Sequence, residues 1–237
     1  MSRQAFRFKQ FTLSDSRSAM KINTDGVLLG AWTSVPGTGR ILDIGTGCGL
    51  IALMLAQRTN LEIDAIDIHE DSVIEAVENF NTSPWNDKIT GLHTSLQNYS
   101  VQAAKKYDLI VCNPPFFSKS LLSVEDAKNL VRHDHSLSFK ELVSNGKSLL
   151  AAEGVFSVII PAHRIIEFEK LMKQSGFHCH RKTAVVPAIG KPVNRYLLEY
   201  SAIQPDTLNE TKLLIQQSSG IFSAEYKEIT RPFYLHF

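Results

Sequence analysis

The chain has 237 residues, with 25 Lys and Arg against 24 Asp and Glu, and 43% of it is hydrophobic. That is enough chain to bury a substantial core, and the net charge of +1 excludes a globally basic nucleic-acid binder, so any such surface has to be local. No apolar run approaches a membrane span, the start MSRQAFRFKQF lacks the apolar centre of a secretory signal, and Cys48, Cys112 and Cys179 are too few and too scattered for a zinc site or a disulfide frame, which together predict a cytoplasmic setting.

In chain order, the first segment carries Arg3, Arg7, Lys9, Arg17 and Lys21 against Asp15 alone, with Phe6, Phe8 and Phe11 interleaved. Such a segment suits phosphate contacts, a solvated basic surface or, for the phenylalanines, one face of a strand. Thr24 or Asp25 is placed to cap a helix running through Leu29 to Trp32. Arg40–Ile44 is a short buried strand, Gly49–Arg58 a helix and Glu62–Ile68 a second strand. Glu70–Phe80 is a helix with Val73, Ile74, Val77 and Phe80 as its apolar positions. Ile89–Thr94 is a third strand, and the continuous apolar run Tyr107–Cys112 is a fourth, covered on both faces. A helix over Phe139–Ala151, a strand over Val155–Ile160 and a helix over Ile165–Ser175 follow. His180–Val186 and Tyr196–Tyr200 read as a closing antiparallel pair.

This alternation predicts an α/β fold with a mostly parallel sheet and helices on both faces. Ligands in such sheets bind beyond the carboxyl ends of the strands, where the strand order switches. The loops at Gly45, Asp67 and Asn113 fall there. In Asp43-Ile44-Gly45-Thr46-Gly47-Cys48-Gly49 the glycines let the backbone turn sharply and approach a ligand. A glycine-rich turn is shared with nicotinamide and flavin enzymes, but the spacing here is G-x-G-x-G, and Asp43 lies just ahead of it. A carboxylate there repels a pyrophosphate and attracts the amino group of a methionine moiety, whose own carboxylate suits the following helix N-terminus. S-adenosylmethionine is the cofactor with that shape. Asp67, at the end of the second strand, can accept both ribose hydroxyls, with Ile68 packing on the adenine; a turn cap is the plainer role for Asp67. Asp64 lies inside the strand and is excluded from the ribose role. Besides capping, Thr24 and Asp25 can place their turn over the methionine end of the cofactor, and both readings stand.

Asn113-Pro114-Pro115-Phe116 ends the fourth strand. Consecutive prolines stiffen the turn and offer carbonyl oxygens without competing N–H donors. A planar amino nitrogen is a poor nucleophile because its lone pair is delocalised. Two acceptors, the Asn113 side-chain oxygen and the Pro114 carbonyl, hold its two N–H bonds and favour lone-pair density facing a methyl donor. Phe116 supplies a face on which a flipped-out base stacks. After it, Phe117–His135 has few regular signals and suits a lid over the acceptor. His133, Asp134 and His135 are adjacent and cannot easily converge on one ion, so no metal is expected. Further on, Arg181, Lys182, Lys191 and Arg195 form a second acid-free basic stretch suited to phosphate.

With these residues in hand, the chain resembles the class I methyltransferases that carry N-P-P-[YF]. More narrowly it resembles the bacterial tRNA1(Val) adenine N6-methyltransferases, through Met20–Trp32, Leu42–Gly49, Asn113–Phe117, Arg132-His133 and Phe233-Tyr234-Leu235. The resemblance implies a Rossmann-like fold with a seven-stranded sheet and an antiparallel closing strand, S-adenosylmethionine as methyl donor and tRNA as the partner, with no obligate protein partner. It implies one methyltransferase domain over 1–237, with 1–38 as a substrate and cofactor segment and 205–237 as an extension. Where many relatives have an acidic residue after the third strand, this chain has Thr94-Ser95-Leu96-Gln97-Asn98, so no residue is assigned to the cofactor adenine. Protein glutamine N5-methylation and guanine N2-methylation of ribosomal RNA pose the same electronic problem to the N-P-P-F loop. A nucleotide-dependent dehydrogenase is opposed by Asp43 and the glycine spacing, and a non-catalytic binding module by intact Asn113 and Phe116.

Overall fold

The aliphatic runs expected as strands form the middle of one sheet in the computed structural model, which describes residues 5–18, 20–115 and 137–237. They are β3 (Arg40–Ile44), β4 (Glu62–Asp67), β5 (Ile89–His93), β6 (Tyr107–Cys112) and β7 (Leu150–Pro161). These five are parallel; β9 (Arg195–Ser201) inserts antiparallel between β7 and β8 (His178–Ala188). The seven expected strands are therefore present with the antiparallel closing strand. The sheet goes on beyond them: β10 (Asn209–Ser218) pairs parallel with β8, and β11 (Ile221–Phe222) antiparallel with β10, giving the order β11-β10-β8-β9-β7-β6-β3-β4-β5. A separate small hairpin joins β1 (Phe6–Arg7) and β2 (Thr12–Leu13).

Helices cover both faces. α1 (Thr24–Trp32), α2 (Leu50–Ala56) and α3 (Glu70–Asn81) share a core with Ile41, Ile63, Ala65, Leu109 and Val111. α4 (Leu96–Gln102), α5 (Phe139–Leu149) and α6 (Ile165–Gln174) share the other with Leu42, Ile44, Ile66, Ile110 and Cys112. Neighbouring strand residues go to opposite cores because successive side chains point to opposite faces. A short helix, α7 (Ala224–Thr230), follows β11.

Several local expectations shift. The cap of α1 is Asn23, whose Oδ1 accepts the Gly26 N–H at 2.9 Å, so neither Thr24 nor Asp25 is the cap. The side chain three residues ahead of the free N–H is the one in reach. α5 stops at Leu149 and β7 begins at once at Leu150, five residues before the expected strand start, because β6 offers a partner from Tyr107 onward. On α3, Ile74 is 43% exposed while Ser72, Glu75 and Asn79 are buried. Residues 14–18 lie against Glu75 and Asn79 and account for that rotation of the buried face.

Candidate active site

The site lies at the carboxyl ends of β3, β4 and β6. Gly45, Gly47 and Gly49 all have left-handed φ, of 71°, 57° and 88°. A side chain on Gly49 would stand 2.4 Å from the Phe80 ring, so only glycine lets α2 start that close to α3. The loop is tied to β4: the Gly45 and Thr46 N–H groups donate to the Ile66 carbonyl at 2.9 and 3.0 Å. Asp67 completes the tie, Oδ2 accepting from the Gly47 N–H and Oδ1 from the His69 N–H, both at 2.9 Å. The turn-capping role is therefore real. Each carboxylate oxygen keeps a second lone pair, so the cap does not exhaust Asp67 as an acceptor.

Asp43 sits beneath the glycine loop with no exposed surface. Its Oδ2 accepts from Thr46 Oγ1 at 2.7 Å, while Oδ1 is buried and has no hydrogen-bond partner. Burial pushes the carboxyl up to about 7, against the pull of the Thr46 hydroxyl and the Ala52 backbone. Asp64, by contrast, is buried mid-strand and accepts from Tyr107 Oη at 2.5 Å, with Lys105 Nζ at 3.4 Å. It belongs to a polar cluster at the amino ends of the strands, in keeping with its exclusion.

A cleft opens between the glycine loop and the segment before α1. Gly45, Thr46, Gly47 and Cys48 form one wall; Met20, Lys21, Ile22 and Asn23 form the other, with Asn113 between them. Asn113 is 6% exposed; its Nδ2 donates to Met20 Sδ at 3.7 Å and its Oδ1 is buried without a partner. Pro114 is buried and Pro115 half-buried beside it. Two orphaned carboxyl or carboxamide oxygens, Asp43 Oδ1 and Asn113 Oδ1, thus flank the glycine cradle. A buried acceptor without a donor needs a physical account, and at this cleft a ligand's N–H groups would supply one. Phe116, the stretch Phe117–His135, Arg132-His133 and the His133, Asp134 and His135 trio lie outside the described residues, as does Arg3. No group of acidic, His and Cys side chains able to hold a metal occurs among the described residues.

Other expected residues take different places. Thr24 and Asp25 open α1 but do not line the cleft; Asp25 pairs with Arg195 Nε at 2.8 Å, and Asn23 and Gly26 face the cleft instead. Ile68 is half-buried just past β4, its carbonyl 3.0 Å from His93 Nε2. The basic segments are largely spent inside the protein. Lys9 Nζ donates to the Arg231 and Phe237 carbonyls, Arg17 pairs with Glu78, and Lys21 Nζ donates to the Ser18 carbonyl. Arg181 stacks on Trp32 and approaches Glu199, and Lys182 pairs with Glu169. Phe8 and Phe11 are buried, stacked with centroids 4.5 Å apart. A larger, open groove near Lys173, Tyr200 and Asp206 lies at the opposite end of the sheet and shares no residue with the cleft.

A doubly covered α/β sheet of this strand order, with a glycine cradle after its first parallel strand and Asn-Pro-Pro after its fourth, is the architecture of an S-adenosylmethionine-dependent methyltransferase. Residues 18–182 match the family model of the methyltransferase small domain. A solved structure from Agrobacterium tumefaciens, described as a predicted O-methyltransferase, superimposes with a TM-score of 0.65 over 88% of this chain and 96% of that one, at 15% identity. The tRNA1(Val) (adenine(37)-N6)-methyltransferase of Bacteroides fragilis is 42% identical over 99% of both chains. That of Trichodesmium erythraeum is 40% identical over the full length of both. The chain belongs to the tRNA1(Val) (adenine(37)-N6)-methyltransferase family.

Proposed function

We infer that this chain transfers a methyl group from S-adenosylmethionine to the N6 amino group of adenine 37 in tRNA1(Val), the activity its relatives are named for. The observation that carries the chemistry is Asn113 Oδ1: a buried acceptor without a donor, on a residue that follows β6 and lines the glycine-loop cleft. In this reading Asn113 Oδ1 and the Pro114 carbonyl accept the two N–H bonds of the adenine amino group. They hold the nitrogen in line and draw its lone pair out of the ring. Phe116 stacks on the flipped base. When bound, the cofactor supplies the electrophilic methyl group. Gly45, Gly47 and Gly49 admit its methionine end, Asp43 faces the amino group and Asp67 the ribose, with Ile68 against the adenine. Thr24 and Asp25 contribute by opening α1, which presents Asn23 and Gly26 to the cleft.

That β10 and β11 continue the same sheet supports reading 1–237 as one domain. A cytoplasmic location accords with a tRNA substrate; no helix among the described residues is long and apolar enough to cross a membrane. The test supplies labelled methyl donor to separate pools of tRNA, ribosomal RNA and protein, followed by nucleoside and amino-acid analysis. N6-methyladenine in tRNA is expected. Label in guanine of ribosomal RNA or in protein glutamine would overturn the assignment. In the same assay Asn113→Ala should bind cofactor normally and lose at least about a hundredfold in turnover.

A further inference from the structure

Glu75 lies mid-helix in α3, away from the apolar positions Val73 and Phe80, yet it is 1% exposed. A buried carboxylate needs donors. Those it has come from one short segment. Oε1 accepts from Ser14 Oγ at 3.2 Å, Ser16 Oγ at 2.9 Å and the Arg17 N–H at 3.0 Å. Oε2 accepts from the Ser18 N–H at 2.7 Å. One turn further along, Asn79 accepts the Ser14 N–H at 3.0 Å and donates to the Ser14 carbonyl at 2.9 Å and to the Cys48 carbonyl of the glycine loop at 2.8 Å.

The fastened segment continues straight into the cleft wall. Asp15 Oδ2 accepts the Ile22 N–H at 3.0 Å and Ser18 Oγ donates to the Met20 carbonyl at 3.0 Å, so residues 14–18 are tied directly to residues 20–22. That tie brings Met20 Sδ to Asn113 Nδ2. A thioether is an acceptor only. It therefore fixes the carboxamide with its NH2 toward Met20 and leaves the oxygen on the other side free to accept.

We propose that Glu75 is a positioning residue for the cofactor cleft: it fastens residues 14–18 as a strap that holds the Met20–Asn23 wall over the glycine loop and sets Met20 against Asn113. The proposal rests on the cleft being the S-adenosylmethionine site. It makes residue identity in α3, far from the transferred methyl group, a determinant of cofactor affinity. It also gives the N-terminal segment a task independent of RNA.

The test uses the full chain and three variants, Glu75→Gln, Ser14→Ala with Ser16→Ala, and Met20→Leu. Equilibrium binding of S-adenosylmethionine is measured by calorimetry, amide exchange at Arg17 and Ser18 by mass spectrometry, and KM for cofactor and tRNA separately. Glu75→Gln should weaken cofactor binding roughly tenfold or more, raise the cofactor KM by the same factor, leave the tRNA KM unchanged and speed exchange at both amides. The serine pair, of which Ser14 is half-buried and Ser16 exposed, spares the core and should weaken binding a few-fold in the same direction. Met20→Leu should keep cofactor affinity and lower kcat several-fold. Parental cofactor affinity in Glu75→Gln or in the serine pair, with faster amide exchange, overturns the proposal. So does a loss that raises the tRNA KM equally. Failure of the parent chain to bind S-adenosylmethionine would instead overturn the reading of the cleft.

Discussion

Replacing Asp43 by Asn tests whether the glycine loop stores a carboxyl group in the wrong protonation state for an empty cleft. Asp43 is fully buried, and burial moves it from an ordinary 3.8 to about 7. At about 1.4 kcal/mol for each tenfold change in proton affinity, that difference is worth about 4 kcal/mol. The folded pKa is above the unfolded one, so below pH ~4 both states are protonated and no cost arises. Between about pH 4 and pH 7 the unfolded chain releases a proton that the folded chain keeps. Stability falls through that window and levels off above it. Asn cannot ionise, so the variant lacks this slope. Its NH2, lying where Oδ1 was, costs about 1–3 kcal/mol at every pH, which shifts its curve without tilting it. Urea unfolding of both proteins at pH 5, 7 and 8.5, without cofactor, isolates the difference. The gap should move in the variant's favour by about 2 to 3 kcal/mol across that range, the first unit of the fall lying below pH 5. Parallel curves would refute the reasoning. With cofactor, a cationic amino group near Oδ1 favours the ionised form, so parental affinity should rise through pH 7 while the variant's stays flat.

Three further outcomes follow from geometry. Gly49→Ala combines a left-handed φ of 88° with a Cβ 2.4 Å from Phe80, and should cost about 3 kcal/mol or more in thermal unfolding. Gly45→Ala, at φ 71° with open space around its Cβ, should cost only about 1 kcal/mol, so equal losses would contradict the packing described. Asp64→Asn breaks the cluster with Tyr107, Lys105 and Arg40 and should lower stability by about 3 kcal/mol, while calorimetry finds cofactor affinity unchanged.

The centre of the fold could be read from the chain because its signals are local. Ile41, Leu42 and Ile44, or the run Tyr107–Cys112, are apolar whichever core they enter, and the turns after them carry Gly45 and Asn113. β10 could not be read that way. Asn209–Ser218 is mostly polar and exposed, and it is a strand because β8 lies alongside it in parallel register. Long-range pairing of that kind leaves little periodicity behind. α4 hid for a similar reason, since only Leu96 of its seven residues is buried. At the site, the glycines, Asp43, Asp67 and Asn113 stood out because each sits next to a strand end. Met20 and Glu75 did not. Their importance comes from an association between residues 14–20 and α3, and a helix face that buries Glu75 and Asn79 reads as solvated until that partner is known. The basic residues carry two readings: Lys9, Arg17 and Arg181 suggest phosphate, and in the fold each also has a protein acceptor or ring at hand.

The two ends of the described chain meet. The Lys9 N–H donates to the Phe233 carbonyl at 2.8 Å, and Phe8 stacks on Tyr234 with centroids 5.9 Å apart. Phe8 and Lys9 therefore meet Tyr234 and Phe233 only after the more than two hundred residues between them have been made. Until then Phe8 lacks the Tyr234 ring and Lys9 the Phe233 carbonyl, although Phe11 can already meet Trp85 and residues 14–18 can already be fastened by Glu75 and Asn79 of α3. Closing so long a loop is slow and entropically costly compared with pairing neighbours. The order of synthesis thus lets the glycine cradle and the strap on α3 form before the β1–β2 hairpin gains its cover from Phe233 and Tyr234.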